Sequence, residues 1–342
     1  MKASCSCRTL RMDLSKFVGV SCLFVIVLIC SMEMIVLRVC GQAGGLKIGF
    51  YDLSCPNAEI IARQILRSAA NTDPTATAAL LRLAFHDCQV NGCDASILLK
   101  SSGKIKAETA SDKNFGIRRL DIIDQIKAAV ESVCPNTVSC ADIIIMAARD
   151  SIFFTSGPFI AVETGRRDHA TFTSSLAADQ ALPVATVPVD GLLQTLAAKG
   201  LDIGDSVALL GAHTLGVTHC INFLNRLNPQ DPRMSPFFSS ALKFICRLPS
   251  SFNNNITFAP NDLTSLVFDN QYFRDLLARR GLLTVDSEIV TDPRTFEFVS
   301  QFAANQSLFF QRFTSAFLQL TRYNVLTGNN GQVRRKCGFL NP

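Results

Sequence analysis

The chain has 342 residues, no tryptophan and only four histidines. With so few imidazoles, groups that change charge near neutral pH are scarce, and each one deserves placing. Charge of one sign is also missing. Lys and Arg outnumber Asp and Glu by only five and are scattered, with no basic block interleaved with aromatics, which excludes a nucleic-acid track. There is no internal repeat, no long Gly/Ser/Pro linker and no GxSxG nucleophile motif. The 48% apolar and 18% charged content excludes disorder and suits one large or two modest globular domains.

Thirteen cysteines are present but no CxxC pair, so zinc-type spacing is absent. Cys5, Cys7, Cys22, Cys30 and Cys40 lie in the first forty residues, and eight more are spread over the remainder. An even set of eight suits four bridges in an oxidising compartment. The N-terminus supports export: Lys2, Arg8, Arg11 and Lys16 precede the apolar run "FVGVSCLFVIVLIC" from Phe17 to Cys30, and the small-residue stretch "VCGQAGG" follows. Residues 1–41 are therefore expected to be a signal peptide, cut after Gly41 or after Ala43, leaving 42–342 as a single domain. A membrane anchor fits less well, because Glu33 and Arg38 interrupt the segment before it reaches the roughly 20 apolar residues a span requires. The sequons Asn255-Ile-Thr257 and Asn305-Gln-Ser307 agree with secretion.

The periodic segments are mostly helical, so a mainly α fold is expected. In "NTDPTATAALLRLAFHDC", Asp73 is placed to cap a helix that begins at Pro74. Helical spacing recurs in "LDIIDQIKAAVESV", "CADIIIMAARDSI", "VDGLLQTLAAKG", "GDSVALLGAHTLG" and "DNQYFRDLLARRG". Arg82 and His86, four apart, share one face of the first of these helices. They are poor core residues. Alone they would be read as a satisfied core pair, but Asp87, Asp94 and Ser96 follow in a tight loop whose Val90 and Gly92 carbonyls can turn inward. Such a hard-oxygen set suits calcium. A second histidine, His213, stands between Gly211 and Gly216, glycines expected to let something broad and flat approach the backbone. His86 and His213 are candidates for opposite faces of one planar cofactor, one as ligand and one as acid and base.

From about Phe50 to Cys337 the sequence resembles the secretory plant haem peroxidases, or class III peroxidases. The motifs that carry the resemblance are "FYDLSCPNAE", "LLRLAFHDCQVNGCDASILL", "AAVESVCPNTVSCADI", "GRRD", "LLGAHTLGVTHC", "VFDNQYF", "RGLLTVDSE" and "TGNNGQVRRKC", in family order. The resemblance implies haem b held between a distal and a proximal helical half, two calcium ions and four disulfides. Residue by residue it implies His213 as the axial iron ligand, with Asp286 on its other ring nitrogen. His86 resembles the distal base and Arg82 the distal cation. Asn114 resembles the residue that orients His86, with Glu108 behind it in the distal network through water. Phe85 resembles the distal aromatic wall, and Pro183 the residue whose carbonyl holds a donor, although Ala185 replaces a usual proline nearby. The implied bridges are Cys55 with Cys134, Cys88 with Cys93, Cys140 with Cys337, and Cys220 with Cys246.

Asp87, Val90, Gly92, Asp94 and Ser96 would hold the distal calcium; Thr214, Asn261, Thr264, Val267 and Asp269 the proximal one. Because Asn261 stands where the family has an aspartate, a weaker proximal ion is expected. His169 and His219 match no catalytic position and are expected to be loop or capping residues; Phe159 stands near the family's usual tryptophan. The implied reaction is reduction of hydrogen peroxide with one-electron oxidation of phenolic or other small aromatic donors. Other implied properties are a monomer, no stable membrane association and an extracellular location in the apoplast or cell wall, to which a chain ending soon after Cys337 adds. The competing class is a catalytically silent secreted binding or adhesion protein on the same scaffold. A hydrolase built on His86 and Asp87 is disfavoured, because adjacent helical residues point about 100° apart.

Overall fold

The computed structural model describes residues 45–247 and 257–342. The expected signal segment, the five N-terminal cysteines and the Asn255 sequon therefore lie outside the described residues. The helices are α1 (Ala58–Thr72), α2 (Ala76–Gln89), α3 (Leu120–Val133), α4 (Cys140–Phe154), α5 (Ser175–Ala181) and α6 (Val189–Ala197). They continue as α7 (Ile203–Leu210), α8 (Pro236–Ile245), α9 (Gln271–Leu277), α10 (Thr284–Glu288), α11 (Pro293–Ala304) and α12 (Gln306–Thr321). Two three-residue strands, β1 (Val217–His219) and β2 (Phe258–Pro260), pair antiparallel with Thr218 opposite Ala259.

Helix α4, rich in Ile and Ala, is buried from Cys140 to Ile152, its charged Asp142, Arg149 and Asp150 included. It packs against α2, while α1 leans on both α3 and α4 to complete the distal half. The buried charges inside this half are paired: Asp142 receives Arg166 Nη1 at 2.9 Å and Tyr51 Oη at 2.7 Å. In the proximal half α7 packs on α11 and α12, and α9 on α11. Phenylalanine fills the space here, with Phe268, Phe273, Phe302, Phe309 and Phe313 in edge and stacked contacts 4.8 to 6.1 Å apart.

Helix α2 starts at Ala76, two residues later than the capping pattern suggests. The Asp73 carboxylate does accept from the Thr75 amide at 3.0 Å, but Pro74 and Thr75 form a turn ahead of the helix. Four disulfides join Cys55 to Cys134, Cys88 to Cys93, Cys140 to Cys337 and Cys220 to Cys246. Among the described residues no helix is long and apolar enough to cross a membrane.

Candidate active site

Helix α2 carries Arg82 and His86 one turn apart, and Arg82 Nε donates to His86 Nε2 at 3.1 Å. The guanidinium is held by the carbonyls of Phe115 and Lys113 at 2.9 and 3.4 Å. Asn114 Oδ1 lies 2.7 Å from His86 Nδ1, and Asn114 Nδ2 donates to the Glu108 carbonyl at 2.8 Å. Because that amide nitrogen is already committed, the oxygen faces the ring and His86 must carry its proton on Nδ1. Nε2 is left as the basic nitrogen. Burial, and then the charge of Arg82, lower the His86 pKa to about 3 against the opposing pull of Asn114, so the imidazole stays neutral. Phe85 stands edge-on to the His86 ring, 6.1 Å between centroids.

His213 lies on the short 3₁₀ turn Gly211–Thr214 that extends α7. Its Nδ1 is 3.1 Å from Asp286 Oδ1, and no described residue hydrogen-bonds its Nε2. Asp286 is fixed at the start of α10, where its Oδ2 accepts from the Leu283 amide at 2.8 Å. Burial alone would raise the Asp286 pKa, but His213, the Leu283 amide and Tyr272 overcome it, and the carboxyl is held below its ordinary value. The two glycines act differently from the sequence expectation. A side chain at Gly211 would meet Phe309 at 2.4 Å, and one at Gly216, whose φ is +86°, would meet Ala78 of α2 at 2.9 Å. Both positions lie close against other parts of the protein: Gly211 against the aromatic core, Gly216 against the base of α2.

After α2, the Cys88 to Cys93 bridge closes a loop in which Asp87 Oδ2 accepts from the Ala95 amide and Asp94 Oδ1 from the Ser96 amide. The remaining oxygens are left over: Asp87 Oδ1, Ser96 Oγ and Glu108 Oε2 are buried without a hydrogen-bond partner. Burial and the charge of Asp94 push the Asp87 pKa well up. A buried cluster of orphaned oxygens fits a hard cation, which would supply the missing charge. Glu108 reaches Asn114 through its backbone, while its side chain is held by Thr173 Oγ1 at 2.5 Å. His169, expected to be a plain loop residue, lies 2.8 Å from Asp94 Oδ2.

The proximal set departs from expectation at one position. Asn261 turns away: its Oδ1 accepts from Thr218 Oγ1 at 2.7 Å and its Nδ2 donates to the Leu215 carbonyl at 2.8 Å. Asp262 takes its place, accepting from Thr214 Oγ1 at 2.6 Å and from the Thr264 amide at 2.8 Å. Thr214 and Thr264 also lie 3.2 and 3.0 Å from Asp269 Oδ1, and the Val267 carbonyl is 3.4 Å from Thr214 Oγ1. Asn261 directly follows β2: its amide donates to the Gly216 carbonyl at 3.1 Å and its side chain reaches Thr218, the middle residue of β1, while the next residue faces Thr214. The oxygens gathered around Thr214 and Thr264 thus include two carboxylates, those of Asp262 and Asp269. Among the described residues no three His, Cys, Asp or Glu side chains gather as a metal site, so both candidate calcium sets depend on hydroxyl and carbonyl oxygens.

Pro183 follows α5, and the segment before it is tied to the distal site by Lys113 Nζ, which donates to the Leu182 carbonyl at 2.5 Å and to that of Asp179. Lys113, Asp262 and Tyr272 were not singled out for these roles from the sequence. Asp262 alone left a signal, an aspartate one place from the expected one. Phe159 is exposed and lies against Phe153 and the Arg149 guanidinium.

A helical scaffold with one oriented basic imidazole and a second imidazole backed by a carboxylate defines a haem-peroxidase class of site. The family model described as peroxidase matches residues 62–305. The chain is 47% identical to Peroxidase 29 of Arabidopsis thaliana over 323 residues, 93% of this chain and 95% of that protein. Over 302 residues it is 41% identical to Peroxidase 57 and 40% identical to Peroxidase 28 of the same plant, covering 86% of this chain and 93% of each relative. The chain belongs to the peroxidase family, in its plant class III branch. It is a peroxidase, an enzyme that spends hydrogen peroxide on the oxidation of small reductants.

Proposed function

We propose that the peroxidase is a secreted, extracellular enzyme of the apoplast or cell wall in which His213 Nε2 would hold the iron of one haem b, and His86 and Arg82 would act on the peroxide. The observation that carries this reading is the pair of imidazoles held in opposite ways. Asn114 leaves Nε2 of His86 as a base, and Asp286 occupies Nδ1 of His213 so that its Nε2 is free to ligate. The haem, when bound, supplies the redox chemistry. Asp286, by accepting from His213, strengthens the imidazole as a donor toward iron.

His86 Nε2 takes the proton from the peroxide oxygen that binds and returns it to the oxygen that leaves as water. Arg82 offsets negative charge on the departing oxygen, a contribution of about 3 kcal/mol in comparable oxyanion sites. Phe85 forms an apolar wall beside the base, and the Pro183 carbonyl accepts from the phenolic donor. Asp87, Ser96, Asp94 and the Val90 and Gly92 carbonyls hold a distal calcium, with Glu108 joined through water. Thr214, Asp262, Thr264, Val267 and Asp269 hold a proximal one. Residues 1–41 serve as the signal peptide, 42–342 act as a monomeric enzyme, and Asn305 is an exposed glycan acceptor at the start of α12. Its Oδ1 caps the helix by accepting from Leu308, which leaves Nδ2 for the sugar.

The test is to load the purified protein with haem and calcium, record the Soret spectrum, and add stoichiometric hydrogen peroxide followed by guaiacol. Wild-type protein is expected to turn over the phenol. His86→Ala should keep haem but react slowly with peroxide, and His213→Ala should lose the histidine-ligated spectrum. A His213→Ala protein with an unchanged haem spectrum would overturn the assignment of the ligand.

A further inference from the structure

Tyr272 sits on α9, 2% exposed, and its hydroxyl donates to Asp286 Oδ1 at 2.8 Å. That is the same oxygen that His213 Nδ1 approaches at 3.1 Å. The tyrosine ring also stands edge-on to the His213 ring, 5.8 Å between centroids and 85° between planes. Burial and the neighbouring carboxylate push the Tyr272 pKa well up, so the phenol remains a donor. One carboxylate oxygen therefore serves two donors, and what one takes the other gives up. We propose that Tyr272 is a positioning residue that sets how strongly Asp286 pulls on His213, and so how basic His213 is toward its ligand. Without the tyrosine hydroxyl the oxygen would turn wholly to His213, and its imidazole would become a stronger donor. The ring contact meanwhile fixes the plane in which Nε2 points.

This inference rests on His213 as the iron ligand. Its test is resonance Raman of the ferrous, haem-loaded protein, read at the iron–histidine stretching band, with the iron reduction potential measured alongside. Tyr272→Phe is expected to raise the band frequency and shift the potential to more negative values. Placing 3-fluorotyrosine at position 272 gives a stronger donor of nearly the same volume and is expected to move both readouts the other way. That variant also carries the test if Tyr272→Phe fails to fold or to take up haem. Packing alone would not give opposite signs. A wild-type band that neither variant moves overturns the inference and leaves the ligand assignment standing, whereas a wild-type protein with no iron–histidine band overturns both.

Discussion

His86 becomes a base through its neighbours. Asn114 fixes the proton on Nδ1, and burial with Arg82 depresses its pKa to about 3. In the unfolded chain the same ring titrates near 6.5. The folded pKa is the lower one, so the contribution of His86 to stability is complete above about pH 6.5 and is lost as pH falls toward 3. For catalysis the sign is the same: the base form persists to about pH 3. The rate of reaction with hydrogen peroxide should therefore have its acid limb near 3, and a limb near 6.5 in stopped-flow measurements would refute this environment. His86→Ala should lower that rate by about 10²- to 10⁴-fold, the range for loss of a general base. Asn114→Val, which keeps the base but frees its tautomer, should cost less, and equal losses would mean that orientation is the whole contribution. At this scale the roles expected of Arg82, His86 and His213 came from the family resemblance, because an arginine and an imidazole one turn apart on an apolar helix read by themselves as a satisfied core pair. Tyr272 was not singled out, because a tyrosine in "NQYF" reads as core until the fold brings Asp286 to its hydroxyl.

At the scale of elements, the long helices could be read from period and composition, and α3 falls on the predicted "LDIIDQIKAAVESV". The strands could not, since three residues each are too short for an alternating pattern to stand out. Yet next to that pairing Asn261 bonds Thr218 and Leu215 while Asp262 bonds Thr214, and it is on this geometry that the proposed proximal set rests. A spacing rule counted along the chain misses such a shift. Asp262→Asn should accordingly lower the number of calcium ions retained after mild chelation, counted by atomic absorption. Asn261→Ala should leave that number unchanged while weakening the β1–β2 connection. If Asn261→Ala loses the ion and Asp262→Asn does not, the inward residue has been misassigned. Burial raises the Asp262 pKa to about 6, so without a cation this carboxyl takes up a proton as pH falls through about 6, and calcium should compete with that proton.

Across the whole molecule the bridges divide their work by the length of chain they close. Cys140 and Cys337 are 197 residues apart and tie the first turn of α4 to the end of the chain, whereas Cys88 and Cys93 are five apart and shape only the loop after α2. On the loop-entropy account the long closure stabilises by about 5 kcal/mol and the short one by about 2 kcal/mol. The even count of eight pointed to four bridges, but their pairing was beyond the reach of the spacing alone, since eight cysteines admit 105 arrangements. The short bridge is local instead: it closes the loop in which Asp87 and Asp94 accept from the Ala95 and Ser96 amides and where three buried oxygens lack partners. Replacing Cys140 and Cys337 together by Ser should therefore lower the denaturant midpoint strongly while the folded protein still retains its distal calcium. Replacing Cys88 and Cys93 should move the midpoint less and release that ion at a lower chelator concentration. Because the oriented His86 is the residue just before Asp87, release should also slow the reaction with peroxide. If the two double variants instead lost midpoint and calcium in the same proportion, the loop would be held by the global fold and the short bridge would have no separate role in the site.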